Sequence, residues 1–180
     1  MRIAGTLDWQ PAVEHPELLA PAVATAVSAL DLDCRVAPID PGLADTAAFC
    51  AAYEVPPEIS ANCVVVAGRR GDVSTMAACM VLATDRADVN KIVRKRLDVR
   101  KISFASMEEA VARTGMEYGG ITPIGLPDGW PILVDSAAIE PEWVVVGSGI
   151  RGSKIILPGG SLVRLPFAEV LELAQTGPSG

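Results

Sequence analysis

From Thr114 to Gly125 the chain reads Thr-Gly-Met-Glu-Tyr-Gly-Gly-Ile-Thr-Pro-Ile-Gly, a loop composed for close backbone approach. Glycines at 115, 119, 120 and 125 surround Thr122 and Pro123. Glycine has no Cβ to hold a ligand off, and Pro123 fixes φ while removing a donor. The remaining N–H groups can point at an anionic or carbonyl oxygen. A second, smaller loop, Gly147-Ser148-Gly149-Ile150-Arg151-Gly152, follows an apolar run. Either loop alone reads as a turn. Two of them, each beside a β-like segment, point to a pocket built largely from backbone.

The chain has 180 residues, enough for one domain spanning 1–180 with a real core. Half of it is apolar but only 4% is aromatic, so the core is aliphatic. A formal charge of −7 argues against a general nucleic-acid-coating protein and leaves room for a local basic patch. No apolar run approaches the roughly 18 residues of a membrane span. Asp8 interrupts any signal-like apolar start, so the expectation is a cytoplasmic protein with no membrane contact. Cys34, Cys50, Cys63 and Cys79 form no C-x-x-C pair and read as buried reduced thiols. His15 is the only histidine, which removes a site with several histidine ligands and leaves a histidine-based triad without local support.

Leu18 to Leu30 is expected as a helix, with Leu19, Val23, Val27 and Leu30 at helical spacing. Pro16 suits its start, and Pro21 is tolerable only in the first turn. Cys34 to Ile39 reads as a strand. Asp40-Pro41 reads as the cap and first position of a second helix running to about Tyr53. The β-branched run within Asn62 to Ala67 marks a buried strand. Its hairpin partner runs from Thr75 to Thr84 across a turn at Arg69-Arg70-Gly71-Asp72. Asp88 to Leu97 reads as an amphipathic helix with Val89, Ile92, Val93 and Leu97 inward. A strand over Lys101 to Phe104 follows. Ser106 and Glu109 then make a capping box for a helix over 107–113. Strands are expected at 132–135, 143–147 and 154–157, a closing helix from Pro166 to Ala174, and a mobile tail at Gly177-Pro178-Ser179-Gly180. This is a mixed α+β chain of the broad α/β class, not a regular βαβ alternation.

Lys91, Arg94, Lys95, Arg96, Arg100 and Lys101 put six of fifteen basic residues into eleven positions. Lys91, Arg94 and Lys95 share one side by helical spacing. They form either a phosphate grip or an ordinary solvated face. Asp135, ending the run from Pro131, either orients a substrate group or caps the next turn. Arg151 reads as a phosphate holder, a partner of Asp135, or a plain surface arginine. Cys63 reads as core, and Trp130 and Trp143 as half-buried packing. Residues alone lead to a small-ligand pocket with backbone donors and a basic rim.

The order of these features resembles the YbaK/EbsC family of aminoacyl-tRNA editing domains, related to the insertion domain of bacterial prolyl-tRNA synthetases. The similarity runs from about Thr46 to about Val170. It is carried by Thr46 to Val55, Ile59 to Val66, the helix from Asp88, and Lys101 to Ala110. Thr114-Gly115 followed by Gly119-Gly120-Ile121-Thr122-Pro123-Ile124-Gly125 is its strongest part, with Gly119 and Pro123 as the ends of the family's Gly-x-x-x-Pro loop, and Val134-Asp135 and Gly147 to Gly152 follow in order. The resemblance implies the YbaK/prolyl-tRNA synthetase-associated domain fold, a largely antiparallel central sheet flanked by helices. It also implies hydrolysis of the ester between a wrong amino acid and its tRNA. Gly119, Gly120, Ile121, Thr122, Pro123 and Gly125 would be the catalytic segment holding the carbonyl. The tRNA's terminal ribose would help to place the water. Asn62, Asp135, Ser148, Gly149, Arg151 and Gly152 are the expected substrate contacts, and Lys91, Arg94 and Lys95 the expected tRNA contacts. The implied partners are aminoacyl-tRNA and an aminoacyl-tRNA synthetase, with no metal or cofactor. One departure stands out: many members carry a lysine where this chain has Ala61. Arg151 or Lys154 is a substitute charge and Asn62 a neutral substitute. The alternative reading is an inactive module that binds tRNA, a nucleotide or an amino-acid derivative.

Overall fold

The computed structural model describes residues 1–175, so the expected mobile tail at 177–180 lies outside the described residues. Among the described residues, nine strands form two sheets. The first has the order β1 (Gln10–Pro11), β2 (Arg35–Pro38), β8 (Ser153–Leu157), β7 (Val144–Gly147) and is antiparallel throughout. The second has the order β5 (Lys101–Phe104), β3 (Ala61–Arg70), β4 (Val73–Leu82), β6 (Ile132–Asp135), β9 (Ala168–Leu171). Its β3–β4 and β3–β5 pairs are antiparallel, whereas β6 runs parallel to β4 and β9 parallel to β6. The expected single central sheet is therefore divided in two, still mostly antiparallel. A parallel bridge between Ser60 and Val145 stitches the sheets at the start of β3.

The helices are short. α1 (Pro21–Ala29) starts with Pro21 at its first position and buries Val23 and Val27. The segment expected as one helix from Pro41 splits into a 3₁₀ turn at Pro41–Leu43, capped by Asp40, and α2 (Thr46–Tyr53). The amphipathic segment from Asp88 does put Val89 and Val93 in the core. It begins as a π-helix, Val89–Val93, because the N–H groups of both Ile92 and Val93 donate to the Asp88 carbonyl. It ends as α3 (Arg94–Arg96). α4 (Met107–Thr114) opens on the expected cap, the Ser106 hydroxyl accepting from the Glu109 N–H at 3.1 Å.

The closing helix expected from Pro166 to Ala174 is instead β9. Its apolar residues fit helical spacing, but Phe167 takes a left-handed φ of 62° that stops a helix from starting there. Leu171 and Leu173 then alternate inward against the core that holds Val89, Val93 and Leu133. The geometry depends on Asp135. Its buried carboxylate accepts from the N–H groups of Leu173 at 2.7 Å, Ala174 at 3.1 Å and Ala137 at 3.3 Å. Of the two roles open to it, Asp135 takes the capping one and fastens the end of the chain to β6. Asp135→Ala leaves three donors without that acceptor and should lower unfolding stability by about 3 kcal/mol in urea titrations. Asp135→Asn, which keeps one acceptor oxygen, should lose less.

Candidate functional site

A cavity of about 320 Å³ opens at the seam between the sheets. Its walls come from the first half of β3 (Ala61 to Val65), the end of β7 (Val145 to Gly147), Lys154 of β8, and Asp45 and Thr46 at the start of α2. Phe104, Tyr118, Gly119 and Ile121 close the remaining side. The volume is that of a small-molecule site. Apolar side chains of Ala61, Val64, Val65, Ala110, Ile121 and Val146 share the lining with Asp45, Thr46, Ser60, Asn62 and Lys154, so the wall is mixed.

The two glycine loops meet backbone to backbone. The Gly149 N–H donates to Gly120 O at 2.7 Å, and the Glu117 N–H donates to Gly149 O at 2.9 Å. A Cβ on Gly147 would lie 2.5 Å from the carbonyl oxygens of Gly120 and Ile121, and one on Gly120 would lie 2.5 Å from the backbone of Ile150. Neither position tolerates a side chain. The contact is thus loop against loop, and only one edge of it faces the cavity. Gly119 and Ile121 form that edge. The Gly120 N–H is taken by Glu117 O at 2.9 Å, whereas no acceptor among the described residues takes the N–H of Gly119 or Ile121.

The rest of the Gly119–Gly125 segment turns away from the cavity. Thr122 is fully buried, its hydroxyl without a partner among the described residues. Pro123 and Gly125 line a separate apolar hollow with Ala26, Leu126 and Trp130, and a Cβ on Gly125 would strike the Ala22 carbonyl of α1. They set the loop against α1.

The second loop is likewise mostly scaffold. The Ser148 side chain is fully buried, donating to Ile150 O and Ser153 O at 3.1 Å and accepting from the Ser153 hydroxyl at 2.7 Å. Gly149 packs on Ala20, which caps α1, and on Val23 within it. The Gly152 carbonyl accepts from the Ile39 N–H. Arg151 acts as a clasp: its Nε and Nη2 donate to Pro41 O at 3.2 and 3.0 Å, and its Nη1 donates to Tyr118 O at 3.1 Å. The pairing with Asp135 does not form, since Asp135 is engaged at the end of β6. Of the expected substrate contacts only Asn62 lines the cavity, its Oδ1 accepting from the Thr46 hydroxyl at 2.5 Å.

Lys154 is the one cation among the lining residues, the position that the resemblance offered only as a substitute charge. It is 8% exposed, and its Nζ donates to Ala44 O at 2.9 Å and lies 5.3 Å from the centre of the Phe49 ring. Burial pulls its pKa below the ordinary lysine value, the charge of Arg151 adds to this, and Cys50 and Asp45 oppose it. The signal was present in Ser153-Lys154-Ile155-Ile156-Leu157, where a lone charge interrupts a strand that is otherwise buried. Ala61, at the position of the family lysine, also lines the cavity and is itself buried.

The four thiols are free, and burial raises all of them, Cys34 to about 11 and Cys79 to about 12. Cys63 touches the cavity without a base beside it, which fits a core role. His15 pairs with Glu17 at 3.0 Å and is absent from the cavity wall. Among the expected tRNA contacts, Arg94 lines a groove along strand β5, while Lys91 and Lys95 are exposed outside it. No group of His, Cys, Asp and Glu able to hold a metal occurs among the described residues. No helix among them is long and apolar enough to cross a membrane.

Gly119 has φ +90°, and a Cβ there would lie 2.2 Å from Arg151 Nη1. Gly119→Ala should therefore unseat the clasp and cost about 1–2 kcal/mol in thermal or urea unfolding. In an Arg151→Ala background the same change should cost less, a non-additivity that a double-mutant cycle measures.

A family model for the aminoacyl-tRNA editing domain matches residues 40–165. Two crystal structures share the fold. One is a candidate trans-editing enzyme for prolyl tRNA synthetase, with TM-score 0.75 and 19% identity, covering 87% of this chain and 97% of that chain. The other is the hypothetical protein APE2540, with TM-score 0.76 and 19% identity, covering 86% of this chain and 99% of that chain.

Proposed function

The chain belongs to the aminoacyl-tRNA editing domain family, and we propose that it is a trans-acting deacylase that hydrolyses the ester of a mischarged tRNA. The observation that carries this reading is the cavity at the sheet seam, with free N–H groups on one side and a buried lysine on the other. Water attacks the ester carbonyl, the bond to the terminal ribose oxygen breaks, and that oxygen takes the proton. Negative charge grows on the carbonyl oxygen on the way. The Gly119 and Ile121 N–H groups and the Lys154 ammonium are the donors we assign to it. An aminoacyl ester is already activated, so a site without histidine suffices, with the tRNA's own ribose helping to place the water.

The apolar part of the lining, from Ala61, Val64, Val65 and Ile121, suits a small amino-acid side chain. Such a wall discriminates weakly by one methylene, which is where a second hydrolytic sieve is useful. Arg151 and Tyr118 fix the loop rather than touch the ester. A synthetase that hands over its charged tRNA is the natural partner, in the cytoplasm where translation runs. Ala61 supports a second reading, a module that binds charged tRNA without hydrolysing it.

Deacylation of tRNAs carrying Ala, Ser, Cys and Thr separates the two. Release of one amino acid is expected; binding without release, at enzyme in large excess, would leave the binding module. Lys154→Met should lower the single-turnover rate by about 100-fold. It should leave the melting temperature equal or higher, because burial already disfavours the charged lysine in the folded state. The ratio of wild-type to Lys154→Met rates should fall toward one as pH rises. Lys154 loses its proton below the ordinary value of 10.5, and intrinsic ester hydrolysis cancels in the ratio.

A further inference from the structure

Phe104 is 65% exposed and Tyr118 50% exposed, in a chain with only eight aromatic residues. Both stand at the cavity wall. From Phe104, strand β5 runs back through Ser103 and Ile102 to Lys101, and these three line a second depression, an open groove of about 640 Å³. Cavity and groove therefore adjoin along one strand, and the strand from Phe104 to Lys101 at the groove's far end spans about 10 Å. Strand β3 repeats the arrangement, giving Ala61 to Val65 to the cavity and Ala67, Gly68 and Arg69 to the groove.

Arg69, Arg94, Arg100, Lys101 and Arg113 line the groove, with Glu109 as its one carboxylate. None of the five cations makes an ion pair among the described residues. The neighbouring Arg70 and Arg96 are neutralised, by Asp98 at 2.6 Å and by Glu169. On a protein of net charge −7, five free cations in one groove are a local reversal of sign. The charge suits a row of phosphates, and the exposed rings beside it suit unpaired bases, which stack on aromatic side chains without regard to sequence.

We infer that β5 is the track of the RNA: the unpaired 3′ end leaves the cavity over Phe104 and Tyr118, and its phosphates lie in the groove of Arg69, Arg94, Arg100, Lys101 and Arg113. This rests on the deacylase reading and moves the RNA contact from the face of Lys91 and Lys95 to the groove beside it. The roughly 10 Å from Phe104 to Lys101 spans about three nucleotides at the rise of one nucleic-acid strand, so the groove runs beside the phosphates of the unpaired end itself.

The test uses the full chain and two fluorescein-labelled RNA minihelices, one ending in an unpaired 3′ CCA and one blunt, with binding measured by anisotropy across a salt series. The tailed minihelix should bind more tightly than the blunt one, and Phe104→Ala should remove that preference. Arg100→Glu with Lys101→Glu should weaken binding at least tenfold and lower the salt slope by about two. Lys91→Glu with Lys95→Glu makes the same charge change outside the groove and should do much less. Equal losses from the two double variants, or a Phe104→Ala protein that still prefers the tail, would overturn the inference. Uncharged RNA is the probe, so a chain that binds as expected but releases no amino acid defeats the deacylase reading and leaves the track standing.

Discussion

Two loops touching through their backbones hold this site together. The Gly149 N–H reaches the Gly120 carbonyl at 2.7 Å, and Gly147 passes within a distance of the Gly120 and Ile121 carbonyls that no side chain would permit. Both loops then lean on α1, Gly149 on Ala20 and Val23, and Gly125 on the Ala22 carbonyl. Segments some thirty residues apart in sequence become one rigid unit, and the edge of that unit forms a wall of the cavity. Backbone donors aimed at a reacting oxygen are useful only if they need not move as charge develops. A wall braced from behind by a helix meets that condition better than a free loop.

The same bracing separates the polar side chains into fixed and free. Ser148, Ser153, Arg151 and Asp135 all spend their hydrogen bonds on carbonyls, N–H groups or one another. Lys154 is the exception that matters. It is buried with a single carbonyl, Ala44 O, and a ring face for company, which leaves the ammonium two N–H bonds to give. A buried cation so sparsely satisfied costs stability, and such a cost is more often found at a site than in a scaffold.

The loops, the β3–β4 hairpin, the strand at β5 and the cap at Ser106 were legible because each rests on a local rule: glycine and proline punctuation, β-branched runs, a hydroxyl three residues before a glutamate. The last strand was not. Pro166 to Ala174 carries apolar residues at helical intervals, and what makes it a strand is a parallel seat beside β6 and the Asp135 carboxylate, both distant in sequence. For the same reason the site was only half legible. The Gly119–Gly125 loop is marked by its glycines and by the family resemblance, but Ser148, Gly149 and Gly152 carry the same glycine-loop signature while serving the scaffold. Composition announces close approach without saying whether backbone or ligand does the approaching. Phe104 and Tyr118 gave no signal at all, since an aromatic residue in a strand or loop reads as packing until its exposure is known.

The position of the cation follows from the seam itself. Strand β3 enters beside β7 through the Ser60–Val145 bridge, and β8 lies next to β7 in the other sheet. Ala61 on β3 and Lys154 on β8 thus face one cavity from different sheets. A family that usually draws its lysine from β3 could shift it to β8 and keep the charge inside the same walls. The two origins are not equivalent: an alanine at 61 leaves room on the β3 side that a lysine would fill, and the ammonium reaches in from the side of α2 and Phe49. On the deacylase reading, a cation stays within the cavity while the space open to the amino-acid side chain is redrawn. An alanine and a lysine on facing sheets would then bear on which ester the site accepts as well as on whether it acts.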